Sequence, residues 1–373
     1  MGVDECVILV REFDPSKDLT SVEQVEKRCE VGPSTKLSLF TDLLGDPICR
    51  VRHSPAFLML VAELRSTKEI VGMIRGCLKI VTCGNKISRN TKANDPLKPL
   101  PVYTKVAYLL GLRVSPSHRR MGIGLKLVQR MEDWFVQNGA ECSYLACENH
   151  NQASINLFTH RCGYSKFRTP MILVNPVFAH RLPVSNKATL IKLSPSDAES
   201  LYRCRFSTTE FFPRDIDSVL NNRLSLGTFL AVPRGSWPGL DKFLSHPPES
   251  WAVLSVWNCK DVFRPFGLHF LYGLGGEGPC AAKLVKALCA HAHNLAKEEG
   301  CSVVATEAAN GEPLKGGVPH WKRLSCDEDL WCIKRLGDDY SDGAVGDWTK
   351  SPPELSIFVD PQNSELDFFS FIE

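Results

Sequence analysis

Residues 115–134, SPSHRRMGIGLKLVQRMEDW, set Arg119 and Arg120 beside Gly122 and Gly124 at the start of an amphipathic helical pattern. The first turn of a helix leaves several backbone N–H groups unpaired, and the aligned peptide dipoles put about half a positive charge there. Glycines let an anion approach that backbone closely, and arginines add charge-assisted hydrogen bonds. The spacing therefore predicts a phosphate or diphosphate held across Arg119, Arg120, Met121, Gly122, Ile123, Gly124 and Leu125. It lacks the Gly-Lys-Ser/Thr ending of a nucleotide-hydrolysing loop and the third glycine of the dinucleotide fingerprint, which disfavours nucleotide hydrolysis and hydride transfer.

Acid–base candidates follow directly in the chain. Glu148 ends the strand-like run CSYLACE on the same face as Tyr144 and Ala146. A carboxyl there, its proton affinity raised by burial, suits proton abstraction near neutral pH; the plainer alternative is a solvated strand-end glutamate. His150, two residues on, is a further acid–base candidate and ranks behind Glu148. In CAHAH, Cys289 and His293 stand one helical turn apart with His291 between them, but no fourth ligand has a regular spacing, so no metal is predicted.

The elements that position these residues read as alternating strands and helices. Strands are expected at 5–13, 56–64, 69–81, 105–114, 142–147 and 164–174, and helices at 19–31 with Asp18 as N-cap, 122–137 and 151–162. The polar run between residues 82 and 101 reads as an exposed insertion or a substrate-facing loop. The order describes an α/β domain with a mixed sheet. After the proline-containing stretch at 176–186 the pattern recurs: LKLVQRMEDWFVQNGAECSYLACE parallels AKLVKALCAHAHNLAKEEGCSVVATE. We read a tandem duplication, with one unit over 1–178 and a second over 187–373 that ends in a tail. At the second unit's matching junction, GLGGEGPC, Glu277 replaces the arginines, so phosphate binding is not expected there.

The chain has 373 residues, 43% of them apolar and 23% charged, enough to bury two cores without disorder. No run is long and apolar enough for a membrane helix, and the start, MGVDECVILVREFD, carries acid before its apolar run, unlike a signal peptide. Gly2 is followed by Cys6 where a myristoylation signal has Ser or Thr. Fifteen cysteines, an odd number with no CxxC pair, fit a reducing compartment. Residues 1–180 carry 24 basic against 17 acidic side chains, and the rest 20 against 25. A basic half suits a polyphosphate ligand and an acidic half a cationic substrate, unless the two surfaces dock on each other.

The segment RRMGIG after a buried strand, followed by NQASINLFTHRCGY after the next, resembles the two signatures of the GNAT superfamily of acetyl-CoA-dependent N-acetyltransferases over residues 5–175. VEKRCEVGPSTKLSLFTDLLGDPICRVRHSP and GMIRGC are similar to the plant HOOKLESS-type N-acetyltransferases over most of the chain. The resemblance implies tandem GNAT-like domains, the second degenerate, with one acetyl-CoA as co-substrate and no metal. A pantetheine arm would lie along Leu112, Arg113 and Val114, with Asn151 beside it and Leu157 and Phe158 near the thioester. Asn151 is equally a good N-cap, and Leu157 and Phe158 equally good core. In related enzymes a Glu or Tyr on the strand before the loop acts as base, which points to Tyr108; a buried-strand tyrosine is its alternative. Many members protonate the thiolate with a tyrosine where this chain has Phe158. The acceptor implied is a protein lysine such as one in a histone tail, acted on in the nucleus in plant growth regulation, with no direct nucleic-acid or membrane contact. A non-catalytic acetyl-CoA-binding scaffold is the alternative.

Overall fold

The computed structural model describes residues 7–29, 46–87, 99–260, 267–326, 328–337 and 346–362. The strands among them are β1 (Ile8–Glu12), β2 (Ala56–Leu64), β3 (Ile70–Ile87), β4 (Pro99–Val114), β5 (Cys142–Glu148), β6 (Ser165–Arg168), β7 (Met171–Pro176), β8 (Ala188–Leu193), β9 (Ser225–Pro233), β10 (Trp251–Asn258), β11 (Leu268–Glu277), β12 (Val303–Ala308) and β13 (Asp329–Arg335). The helices are α1 (Pro15–Arg28), α2 (Ile123–Gln137), α3 (Gln152–Asn156), α4 (Pro195–Phe206), α5 (Ile216–Leu220), α6 (Leu240–Ser245) and α7 (Ala281–Glu298). Two mixed sheets result, ordered β1-β2-β3-β4-β5-β13-β6 and β7-β12-β11-β10-β9-β8. This is the α/β tandem arrangement expected from the sequence.

Helix α2 forms because Ile123, Leu127, Val128, Met131 and Phe135 recur at turn spacing and are buried together with β2, β3 and β5 side chains. Helix α1 starts earlier than its periodicity suggests. Pro15 occupies the first turn and the Asp14 side chain accepts from the Ser16 amide, while Asp18 is buried and its carboxylate meets Arg11 at 2.6 Å. The polar insertion expected after residue 81 instead continues β3 and β4 as a paired ribbon; residues 88–98 of that insertion, the start of the expected first strand and the tail after 362 lie outside the described residues.

The expected single strand over 164–174 divides in two. Pro170 has no N–H to give a ladder, so the chain leaves the first sheet after β6 and β7 enters the second sheet against β12. In return β13 runs back into the first sheet, between β5 and β6. The two halves of the chain thus exchange strands, and the sheets do not follow the division at 178–187. An aromatic core fills the space between them, where Tyr108 stacks on Tyr144 at 4.6 Å and Phe211, Trp331 and Trp348 pack around the pair. Arg168 makes a bidentate contact with Glu210 at 2.6 and 2.8 Å, and Trp348 Nε1 donates to the same carboxylate at 2.7 Å. Lys79 reaches Asp360 and donates to Gln362 Oε1 at 2.6 Å. Basic groups of the first half therefore meet acidic groups of the second, so part of the charge asymmetry is spent on docking the halves together.

Candidate functional site

Strands β4 and β5 are parallel neighbours, yet they pair only over Val106–Tyr108 and Cys142–Tyr144. The reason lies on the other edge of β4. Between Met73↔Arg113 and Arg75↔Leu110 the register slips, so β4 carries one more residue than β3, a β-bulge at Gly111 and Leu112. Gly111 has φ +59°, and a Cβ there would overlap the Arg75 guanidinium, which is fully buried and salt-bridged to Glu26 at 2.8 Å. The bulge bends the end of β4 away from β5. Leu112–Val114 on one side and Leu145–Glu148 on the other then line a cleft of about 2220 Å³. That is well above the roughly 300–1,000 Å³ of small-ligand sites.

Arg119, Arg120, Gly122, Ile123, Gly124 and Leu125 line one end of this cleft. Arg120 and Gly122 have positive φ, at 67° and 77°, and this left-handed turn leads directly into α2. No side chain among the described residues caps α2. Among the described residues the first amide of this turn to bond along the helix is that of Lys126, to the Gly122 carbonyl at 3.1 Å. The amides of residues 120–125 have no backbone acceptor among the described residues, as expected of an open helix start. A Cβ on Gly122 would meet nothing within 4 Å, whereas one on Gly124 would touch Leu157, Leu112 and Val114 at 3.4–3.8 Å. Gly124 thereby keeps a groove open between the helix start and β4. Met121 points outward and is exposed.

The matching junction in the second half is closed. The Cys280 amide donates to Ser250 Oγ at 3.1 Å and the Ala281 amide to the Gly278 carbonyl at 3.1 Å. A Cβ on Gly278 would run into the Glu249 carbonyl. The start of α7 is occupied by the protein itself.

The remaining expected residues divide. Arg113 Nε lies 3.5 Å from the Glu26 carboxylate, and the residue also lines the cleft. Asn151 caps α3, its Oδ1 accepting from the Ser154 amide at 3.1 Å, and it also borders the cleft. Leu157 and Phe158 do double service, packed with the α2 core and lining the cleft. Phe158 meets the edge of Tyr164, whose hydroxyl donates to Ser143 Oγ at 2.9 Å; burial raises the Tyr164 pKa well above its ordinary value. Glu148 is half-buried in the cleft wall, with His150 beside it.

Tyr108 stands apart from these. It is not in the cleft wall but in the aromatic core between the sheets, one residue before the strands part. Alternation along β4 sends Leu109 to the α2 side and Tyr108 to the opposite side. Histidines 291 and 293 have structural partners: His291 meets Phe229, and His293 Nε2 accepts from the Phe178 amide at 2.8 Å, fixing the linker to α7.

Several cleft residues were not legible in local sequence. Cys29 ends α1, and its thiol donates to the Val114 carbonyl at 3.3 Å; burial pushes its pKa up, so it remains a thiol. Residues 321–326, Glu328 and Asp329 build the far wall. They arrive through the exchanged strand, and no spacing near Glu148 announces them.

With the geometry in place, the chain can be set beside known proteins. The family model described as Acetyltransferase (GNAT) family matches residues 20–164. The chain is 67% identical to Probable N-acetyltransferase HLS1 of Arabidopsis thaliana, covering 95% of this chain and 99% of the relative. It is 37% identical to Acetyl transferase GW6a of Oryza sativa subsp. japonica, covering 95% and 97%. A solved tandem GNAT protein from the clavulanic acid biosynthesis pathway is similar with a TM-score of 0.52 and 13% identity, covering 90% of this chain and 100% of that one, a likeness of fold alone.

Proposed function

The chain belongs to the GNAT family of N-acetyltransferases, and on that premise we propose that it transfers the acetyl group of acetyl-CoA to a lysine of a protein such as a histone tail, in the nucleus, in the regulation of plant growth and transcription. The observation that carries the cofactor part is the uncapped start of α2, with the amides of residues 120–125 at the mouth of a cleft opened by a bulge. These residues fit a diphosphate: the glycines leave the backbone accessible and Arg119 and Arg120 add charge. Leu112–Val114, on the parted end of β4, would bond the amides of the pantetheine arm, and Asn151 and Phe158 would flank it.

Bound there, acetyl-CoA supplies an activated acyl carbon. The chain's own residues handle the protons. Glu148 takes one proton from the acceptor ammonium, so that its nitrogen has a lone pair for the new N–C bond, and the nitrogen gives a second proton to solvent as the amide forms. As the C–S bond breaks, the leaving sulfur takes a proton; Phe158 has no hydroxyl, and that of Tyr164 is committed to Ser143. Solvent in the open cleft supplies it. One proton in all is released.

A peptide acceptor accords with a wide cleft whose wall carries the carboxylates of Glu148, Glu328 and Asp329. The test is acetylation of a lysine-peptide library followed by mass spectrometry. Acetylated lysines, with histone-tail sequences among the best acceptors, are expected; acetylation of small amines alone would overturn the protein-acceptor reading.

A further inference from the structure

Strand β13 comes from the second half of the chain, and its antiparallel register with β5 places Asp329 opposite Glu148, Trp331 opposite Ala146 and Ile333 opposite Tyr144. Directly opposed residues share a face, with Cβ atoms about 5 Å apart. That face is turned away from α2. Tyr144, Ala146, Trp331 and Ile333 belong to the aromatic core between the sheets, whereas Leu145, Cys147, Leu330 and Cys332 pack toward α2. Glu148 and Asp329 therefore stand side by side where the cleft meets the junction of the halves, and both line the cleft.

A second observation lies next to this pair. Ala146 is a wall both of the cleft and of a recess of about 20 Å³ whose lining includes Trp331, Tyr108, Tyr144, Glu307 and the paired Lys79 and Asp360. Trp331 is only 6% exposed, and its indole Nε1–H has no hydrogen-bond partner among the described residues. Leaving such a donor buried and unpaired is costly, because it has given up its hydrogen bond to water without a replacement. The recess has room for about one oxygen-sized atom. Trp331 lines this recess, and a ligand oxygen within hydrogen-bond reach of its indole nitrogen would satisfy the donor.

Resting on the reading of the cleft as an acetyl-CoA site, we infer that β13 supplies the acceptor subsite: Asp329, with Glu148, binds the ammonium of the incoming amine, and Trp331 donates to an oxygen of the same molecule. The acceptor class is then a cationic primary amine that also carries a carbonyl or carboxylate oxygen, as a peptide lysine does. The second half of the chain would complete the active site of the first.

Asp329→Asn keeps the volume of the side chain and the backbone bond from the residue 329 amide to the Pro170 carbonyl. With a lysine-containing histone-tail peptide as the probe amine, this variant is expected to raise the peptide KM on the order of tenfold or more, as loss of a charged hydrogen bond does. Its acetyl-CoA affinity by calorimetry should equal that of the parent. The Trp331 indole N–H resonance, identified by its loss in Trp331→Phe, should move when the peptide is added and stay in place with acetyl-CoA alone. An unchanged KM together with an unmoved indole resonance overturns the acceptor subsite and leaves the cofactor reading standing. Failure of the parent protein to bind acetyl-CoA overturns the reading beneath it.

Discussion

Glu148 closes β5 at the point where that strand leaves β4, and its half-buried carboxyl faces the cleft rather than open solvent. Its role as proton acceptor predicts that Glu148→Gln binds acetyl-CoA normally but loses about 10²- to 10⁴-fold in kcat; unchanged turnover in a steady-state assay would remove Glu148 from the mechanism. Glu148 and the glycines were legible in the sequence because a strand end and a helix start are local features. The face that Tyr108 takes, away from α2 and beside Tyr144, was not legible, because position along a strand does not say which face a side chain takes. Asp329 was invisible, since nothing near it in the chain indicates that it will lie opposite Glu148.

At the scale of elements, the cleft depends on one bulge. YLLGLRV reads as an ordinary buried strand, and its remote partner Arg75 gives no local hint that Gly111 must take a left-handed conformation. Gly111→Ala would place a methyl group against the Arg75 guanidinium at φ +59°. The backbone alone costs about 1–2 kcal/mol, and displacing Arg75 from Glu26 adds to it. Denaturant unfolding should show at least that loss, with weaker acetyl-CoA binding; a variant equal to the parent in both would show that the bulge does not hold the cleft open. Helix α2 was placed to within a residue from its periodicity, whereas the break at Pro170 fell inside what reads as one strand over 164–174.

At the scale of the whole molecule, the exchange of β7 and β13 makes the halves interdependent. A chain ending at Phe178 lacks β13, so β5 and β6 lose their shared neighbour and the aromatic core loses Trp331 and Trp348. Exposed strand edges of this kind invite association. The fragment is expected to aggregate in size-exclusion chromatography and to show no cooperative melting; a monomeric, acetyl-CoA-binding fragment would contradict this. Stability should also depend on pH through His53, His269, His291 and His293, whose pKa values are all lowered, with burial as the largest cause. The unfolded chain then takes up protons first as pH falls, so their contribution is complete above about 6.5 and is lost progressively below it. Asp18 and Glu63, held low by Arg11, lose theirs only below about 4.5. Melting temperatures measured from pH 8 to 5 should fall, and His293→Gln should flatten the fall; a rise toward pH 5 would contradict the assignment.

The central claim is that the open amides at the start of α2 hold the diphosphate of one acetyl-CoA per chain. Titration calorimetry of the parent, Gly122→Asn and Gly122→Asp measures it, because both side chains tolerate a left-handed backbone better than most and only one carries a charge. One site is predicted for the parent, retained at reduced affinity in Gly122→Asn and abolished in Gly122→Asp. Two equivalent sites, or normal binding by Gly122→Asp, would contradict it.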